Sequence, residues 1–297
     1  LAMKKIGFLG LGVMLLPMAI NLVKKSGCPV LGFDVAQARL DQFAAAGGAV
    51  TTDVVEIYKT CDVIMQMLPT HTTVISSVEQ AVAYGKPGNI ILDLGSTAPN
   101  IIQDLFPKVA AAGMHLLDSP VSGGNPMAIA GTLAIMTGGE RETVEEVLPL
   151  LECMGNPVYT GGSASGSITK LVNNMIAGSY LAAMAEGYAF AAKAGIDLQT
   201  TFEATRGGFA GGPLYDNKVP KIIHRDYEPG ARIQVHLKDI HNAKQFAHKL
   251  GVDTPVTDVT AHIMEWMVDN GLKDTDQAGM VKYFEEKMDI TVGSAEG

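Results

Sequence analysis

Residues with an evident chemical use sit in three places along the chain. The first is Gly10-Leu11-Gly12-Val13-Met14-Leu15, directly after an apolar run that reads as a strand and directly before one that reads as a helix. Gly10 permits a tight turn, Gly12 lets the backbone approach a pyrophosphate, and a helix N-terminus turns N–H groups and positive dipole toward an anion. Asp34 closes the next strand candidate, twenty-four residues after Gly10, where a carboxylate accepts from both hydroxyls of an adenosine ribose. The same carboxylate repels a 2′-phosphate. Gly10, Leu11, Gly12, Val13, Met14 and Asp34 are therefore candidate cofactor ligands, with NAD expected rather than NADP. The third glycine of such a fingerprint, which serves close helix–sheet contact, is Leu15 here. A leucine must push the helix outward or fill a gap beneath it. The plain alternative is a strand–helix turn with a surface aspartate.

The second place is Asp118-Ser119-Pro120-Val121-Ser122-Gly123-Gly124. A serine hydroxyl beside the unobstructed N–H groups of two glycines suits a carboxylate, and the same run suits a simple turn. The third is Lys170-Leu171-Val172-Asn173-Asn174, where i,i+4 spacing puts Lys170 and Asn174 on one helix face. A lysine among apolar residues needs polar company, and in such company it exchanges protons with a substrate. The alternative is a lysine that snorkels to solvent beside a locally bonded asparagine. No metal-ligand spacing occurs: the seven histidines are scattered, and His236 and His241, five apart around Lys238, share a helical face poorly and read as surface residues.

Composition bounds the rest. The chain has 297 residues, 47% hydrophobic and 18% charged, enough to bury a core and incompatible with a disordered chain. Its balance of 31 acidic against 22 basic residues, net −9, with no basic block, argues against nucleic acid as a partner. Cys28, Cys61 and Cys153 are odd in number and far apart, and read as buried thiols in a reducing cytosol. The stretch from Ile6 to Val23 is uncharged between two lysine pairs and has the hydropathy of a signal peptide or short membrane helix. Its three glycines, Pro17 and Asn21, with no small-residue cleavage site after it, point instead to a cytoplasmic chain without a membrane segment. Leu1-Ala2 ahead of Met3 reads as a cloning remnant.

These residues need elements to carry them. Strands are expected at Lys5–Leu9, Val30–Phe33, Val63–Met67, Ile90–Asp93, His115–Asp118, Leu133–Thr137 and Val158–Thr160. Helical patterns lie between them at Met14–Ser26, Ala36–Ala46, Val54–Lys59, Thr73–Ala83, Asn100–Ala112 and Glu142–Met154. That alternation predicts a parallel, doubly wound α/β sheet of Rossmann type. From Ser163 to Ala194 there is no proline, and Ala, Met and Leu dominate, which predicts one long helix. The pattern beyond it stays helical, with loops at Arg206–Pro213 and Tyr227–Gly230. The expected organisation is a nucleotide-binding domain at 1–163 and an all-α substrate and oligomerisation domain at 164–297, joined through the long helix, with the ligand in the cleft between them.

The segments GFLGLGVMLLPMAINL (7–22), MLP (67–69), DLGSTAP (93–99), DSPVSGG (118–124), GTLAIMTGG (131–139), KLVNN (170–174) and HLKD (236–239) together resemble the β-hydroxyacid dehydrogenase family. Its members include 3-hydroxyisobutyrate dehydrogenase, tartronate semialdehyde reductase and, more distantly, 6-phosphogluconate dehydrogenase, and the resemblance spans essentially the whole chain. Within the family, RGGFAGG (206–212), PGARIQVHLKDIHNA (229–243) and PVSGGNPMAIAGTL (120–133) most resemble the tartronate semialdehyde reductases. The resemblance implies Lys170 as general acid and base, Asn174 as a group that orients the substrate, and Ser122, Gly123 and Gly124 as holders of its carboxylate. It also implies Leu68, Pro69 and Ser96 along the nicotinamide side of the cofactor, Lys238 closing over that end with Asp239 beside it, and a homodimer or homotetramer. Departures from the family pattern are Leu15 for glycine, Gly95 where serine is common, and Thr70 where asparagine is usual. The expected reaction is reduction of tartronate semialdehyde to glycerate with NADH. Alternatives are 3-hydroxyisobutyrate or another hydroxy acid, decided by pockets around Asn125-Pro126, Arg206–Gly212 and Tyr215, and a nucleotide-binding protein that has lost catalysis.

Overall fold

The structure is a computed structural model and describes residues 4–294; Leu1 and Ala2 lie outside the described residues. The strands are β1 (Ile6–Leu9), β2 (Val30–Phe33), β3 (Ala49–Val50), β4 (Val63–Gln66), β5 (Ile90–Asp93), β6 (His115–Asp118), β7 (Val121–Ser122), β8 (Leu133–Gly138) and β9 (Gly155–Gly161). Among them run the helices α1 (Leu15–Lys25), α2 (Gln37–Ala45), α3 (Val54–Thr60), α4 (His71–Tyr84), α5 (Pro99–Ala111), α6 (Gly124–Ala130) and α7 (Arg141–Glu152). After them come α8 (Ser165–Lys193), α9 (Leu198–Thr205), α10 (Pro213–Ile223), α11 (Ile233–Leu250), α12 (Pro255–Asp269), a 3-10 turn at Gln277–Met280 and α13 (Val281–Met288). The stretch that hydropathy likens to a membrane segment divides into β1, the glycine loop and α1. Among the described residues no helix is long and apolar enough to cross a membrane.

One sheet in the order β3-β2-β1-β4-β5-β6-β8-β7, with β9 paired to β8, holds all nine strands. Strands β1 to β6 are mutually parallel. Every residue of β1, β4 and β5 is buried, as expected of strands covered on both faces. Ile6, Phe8, Ile90 and Leu92 pack on one side with α1, α2, α6 and α7, while Leu9 and Ile91 pack on the other with α3, α4 and α5. The sheet is not wholly parallel, as the alternation predicts it to be: β8 runs antiparallel to β6 and β7. Its connection to β7 is only the seven-residue α6 and a turn at Gly131. That is too short for a crossover between parallel strands, and a reversal is what it permits. The chain order β1-β4 reverses direction across the sheet at a switch point, where the carboxyl ends of neighbouring strands splay apart.

The chain separates into two compact units, one through Lys170 and one from Leu171 onward. The first therefore includes the opening turn of α8, whose backbone lies hard against the sheet. A side chain at Gly166 would run into the carbonyls of Asp118 and Met136, and one at Gly138 into the backbone of Gly166. The second unit has its own core, built from Leu181, Met184 and Tyr188 of α8 with Val219, Ile240, Met264 and Met280. At its centre Lys218 Nζ lies 2.8 and 2.9 Å from the two carboxylate oxygens of Asp276. Asp276 also accepts the N–H groups of Gly230, Ala231 and Ala278. A buried carboxylate with this many donors is stable, but removing its one cation leaves an uncompensated charge. Lys218→Met is thus expected to destabilise the second unit by about 3–5 kcal/mol in urea denaturation.

Candidate active site

Every expected cofactor residue except Lys238, which lies on α11 in the second unit, falls at or just past the carboxyl end of β1, β2, β4 or β5. Gly10 follows β1 with φ +86°, and a Cβ there would stand 3.3 Å from the Met67 carbonyl. Since β1 and β4 are neighbours, the glycine loop and the Met67-Leu68-Pro69 loop lie side by side at the switch point. Asp34, half-buried at the end of β2, accepts the Leu11 N–H at 2.6 Å on one oxygen and the Ala36 N–H at 2.8 Å on the other. It fastens the glycine loop to β2, and each oxygen keeps a further lone pair for a ribose hydroxyl. Gly12 and Val13 are exposed, and a Cβ at Gly12 would meet nothing within 4 Å. Helix α1 starts with no side-chain cap and no acid in its first turn. Its first N–H groups thus have no internal anion to satisfy them, and the loop fits a pyrophosphate.

Leu15 takes the second course open to it: it is 1% exposed and belongs to the core cluster that includes Leu11, Leu40 and Phe43. Ser96 lies two residues past the buried Leu94 at the end of β5, half-buried. Thr70, another departure from the family pattern, is the N-cap of α4 and forms a reciprocal capping box with Thr73. Gly95 has room for a side chain, since its Cβ would stand 3.5 Å from Asp93 Oδ1.

Ser122 ends β7, held in the sheet by its pairing with Ala134. Gly123 and Gly124 follow at φ +136° and +67°, both exposed, and open α6. Lys170 is half-buried in the second turn of α8. Asp118, the first residue of the 118–124 motif, has a distinct task in the structure. Its carboxylate, 1% exposed, accepts the Ala164 N–H at 3.0 Å and the Ser167 N–H at 2.6 Å, and so caps the helix that carries Lys170. Burial pushes its pKa up from 3.8 to about 6, against the pull of those N–H groups. The signal in the sequence was an acid at a strand end with glycines at 138 and 166, which makes sense only once the strand and helix are placed together.

In the second unit the structure brings Asn174, Lys238 and Asp239 together. Asn174 Nδ2 donates to Asp239 Oδ2 at 2.7 Å, its Oδ1 accepts from Asn173 Nδ2 at 2.9 Å, and Lys238 Nζ lies 3.1 Å from Asp239 Oδ1. His236, expected at the surface, is instead 5% exposed. It sits three residues before Asp239, on the side of α11 that faces α8, so its Nε2 meets the Asn174 carbonyl at 3.0 Å and its Nδ1 meets Gln277 Nε2 at 2.8 Å. A carbonyl only accepts, so Nε2 is the donor nitrogen. His241 is exposed and pairs with Glu265. Tyr215, expected near a substrate pocket, is a core residue whose hydroxyl is engaged by Tyr188 and Thr205. Arg206 caps α9 at the surface, pairs with Asp216 and lies over the Phe202 ring. Of the thiols, Cys61 and Cys153 are buried while Cys28 is only half-buried.

Comparison with known proteins matches residues 5–162 to the NAD binding domain of 6-phosphogluconate dehydrogenase. Residues 164–284 match the NAD-binding domain of NADP-dependent 3-hydroxyisobutyrate dehydrogenase. The 2-hydroxy-3-oxopropionate reductase of Escherichia coli K12 is 31% identical, over 95% of this chain and 97% of that protein. The 2-(hydroxymethyl)glutarate dehydrogenase of Eubacterium barkeri is 30% identical over 98% of each. Among solved structures, 3-hydroxyisobutyrate dehydrogenase of Mycobacterium tuberculosis with L-serine superimposes with a TM-score of 0.86 at 30% identity, covering 95% of this chain and 99% of that one.

Two measurements check the local physics. The folded pKa of Asp118 lies above its unfolded value, so its contribution to stability is full below about pH 3.8 and lost as pH rises through about 6. Asparagine is neutral throughout. The stability of the native protein minus that of Asp118→Asn, from urea denaturation, should therefore fall by about 2 kcal/mol between about pH 4 and about pH 7.5. Leu15→Gly, which restores the usual fingerprint, should destabilise by about 3–5 kcal/mol in the same assay, because it empties a core position and adds a helical glycine.

Proposed function

The chain belongs to the β-hydroxyacid dehydrogenase family of NAD(P)-dependent oxidoreductases, and from that premise we propose that it reduces 2-hydroxy-3-oxopropionate (tartronate semialdehyde) to glycerate with NADH. The observation that carries this reading is the Lys170–Asn174 pair, one turn apart on α8, with the Asn174 amide fixed by Asp239. A bound nicotinamide supplies the hydride for such a reduction. Lys170 Nζ gives its proton to the aldehyde oxygen as charge develops there, and takes a proton from the hydroxyl in the reverse direction. Ser122 Oγ and the N–H groups of Gly123 and Gly124 hold the substrate's carboxylate, so local donors outweigh the net charge of −9. Asn174 orients the substrate. Its amide cannot rotate without breaking the bonds to Asp239 and Asn173, so it meets the substrate in one fixed sense.

Gly10 to Met14 and Asp34 would bind the dinucleotide, with Leu68, Pro69, Ser96 and Lys238 at its nicotinamide end. Asp34 supports NADH over NADPH, because a second anion beside this carboxylate is repelled. The substrate assignment rests on the likeness to the Escherichia coli reductase and on the segments at 120–133 and 206–212. 3-Hydroxyisobutyrate is the second reading, supported by the likeness to the Mycobacterium tuberculosis enzyme, and it uses the same proton donor and carboxylate site. A homodimer or homotetramer fits the exposed Val172, Ile176 and Phe190 of α8.

NADH and NADPH oxidation with 2-hydroxy-3-oxopropionate, methylmalonate semialdehyde, succinic semialdehyde and glyoxylate tests the proposal. The expected result is turnover with the first substrate and NADH far above all other combinations. A higher rate with methylmalonate semialdehyde would replace the substrate and keep the machinery. Lys170→Met should lower kcat by about 10²–10⁴-fold while NADH binding, read by fluorescence, is retained. Unchanged kcat in that variant would remove Lys170 from the chemistry.

A further inference from the structure

Helix α1 carries one amide in the middle of an apolar surface. Asn21 is 7% exposed, among the buried Met18, Ala19 and Leu22. An apolar side chain would pack in that position without a hydrogen-bonding requirement, so the amide calls for a partner. It has one far away in sequence: Asn21 Nδ2 donates to the Ala128 carbonyl at 2.9 Å and to the Ile129 carbonyl at 3.3 Å. These belong to the last turn of α6, where carbonyls lack the usual i+4 donor; that of Ala128 also accepts the Gly131 N–H at 3.3 Å. Lys25, one turn further along α1, donates to the Cys153 carbonyl at 3.1 Å. Its Nζ closes over Gly131, the left-handed residue at φ +70° that ends α6. A side chain at Gly131 would strike Lys25 Nζ and crowd Asn21.

The two helices joined here begin at the two loops that matter. Helix α1 opens directly behind Gly10–Met14, and α6 opens at Gly123–Gly124, the candidate carboxylate cradle. From Leu15 to Asn21 is about 9 Å of helix, and α6 is about 10 Å long. Both pieces are short and stiff, so the Asn21 contact fixes the distance and angle between the loops at their openings. Gly123 and Gly124, with positive φ and no side chains, have little of their own to hold them in place.

We propose that Asn21 is a positioning residue for the substrate: by holding the carboxyl end of α6 it sets where Gly123 and Gly124 present their N–H groups relative to the glycine loop that opens α1. This rests on the reading of Ser122–Gly124 as the carboxylate cradle. Losing the Asn21 donor leaves the Ile129 carbonyl short of a partner and the Ala128 carbonyl with the Gly131 N–H alone, and it frees α6 to pivot. The cradle is then misplaced before substrate arrives, which weakens binding in the ground and transition states alike and raises KM with little change in kcat.

The experiment uses the full-length enzyme with 2-hydroxy-3-oxopropionate and NADH, or 3-hydroxyisobutyrate and NAD in the oxidative direction. Asn21→Asp keeps size and shape and replaces the N–H donor with a carboxylate oxygen that the two carbonyls repel. Asn21→Leu keeps the packing and removes all polarity. Both are expected to raise the KM of the carboxylate substrate about tenfold or more, with kcat within about threefold and the NADH Kd unchanged. Where Asn21→Leu does not fold, Gly131→Ala crowds the same contact from the other side and should give the same signature. An unchanged KM in Asn21→Asp overturns the proposal, as does a KM that rises only together with the NADH Kd, the mark of a general loosening of the unit. Ser122→Ala serves as the reference. If it raises KM while the Asn21 variants do not, only the role of Asn21 fails. If Ser122→Ala leaves KM unchanged, the cradle itself is elsewhere and the proposal falls with it.

Discussion

The carboxylate of Asp118 at the head of α8 is the contact that fixes the start of the helix carrying the candidate Lys170. It is a strand residue doing the work of a helix cap, and it accepts two N–H groups across more than forty residues of intervening chain. The helix it caps has 29 residues and is about 43 Å long. Lys170 lies one turn past the cap and Asn174 two turns past it. The glycines at 138 and 166 let the backbones approach closely enough for the cap to form, and the burial this requires is what raises the Asp118 pKa. Four residues beyond Asp118 lies Ser122, so one short motif both fixes the helix of the candidate proton donor and leads into the candidate carboxylate cradle.

The second unit solves a similar problem by another route. Asp276, neutralised by Lys218 and satisfied by three backbone donors, anchors the 3-10 turn that begins with Gln277. Gln277 holds His236, and His236 holds the backbone of Asn174 while Asp239 holds its side chain. A buried ion pair is in this way connected, through Gln277 and His236, to the backbone of Asn174, while Asp239 separately holds its amide. Each link is local and ordinary in strength; their joint effect is that Asn174 has a single available pose.

How much of this the sequence reveals depends on how local the cause is. The strands at 30–33, 90–93 and 115–118 fall where the pattern places them, because a strand buried on both faces is a continuous apolar run with sharp ends. The two-residue strands β3 and β7 and the short α6 are too brief to show a period, and the antiparallel turn of β8 follows from the length of a connection that was itself not foreseen. The glycine loop and Asp34 are legible because their chemistry is carried by adjacent residues and one fixed spacing. Asp118, Asn21 and His236 are not, since each acts on a partner tens of residues away. His236 shows the difference most plainly: compared only with His241 it looks like a surface residue, and compared with Asp239 it lies on the buried stripe. Leu15 shows the reverse, a local rule broken and accommodated by the core around it.

The place where the first unit ends has a consequence for how such chains can be recombined. The compact unit runs to Lys170 and keeps the first turn of α8. A chimaera spliced between relatives ahead of Ser165 would pair one parent's Asp118 and Gly138 with another parent's residues 164–167, and these positions meet without side-chain slack. The exchangeable cassette therefore has its seam inside a helix. Residues 118, 138 and 164–170 are inherited as a block, and segments exchanged in the helical half are grafted most safely behind it.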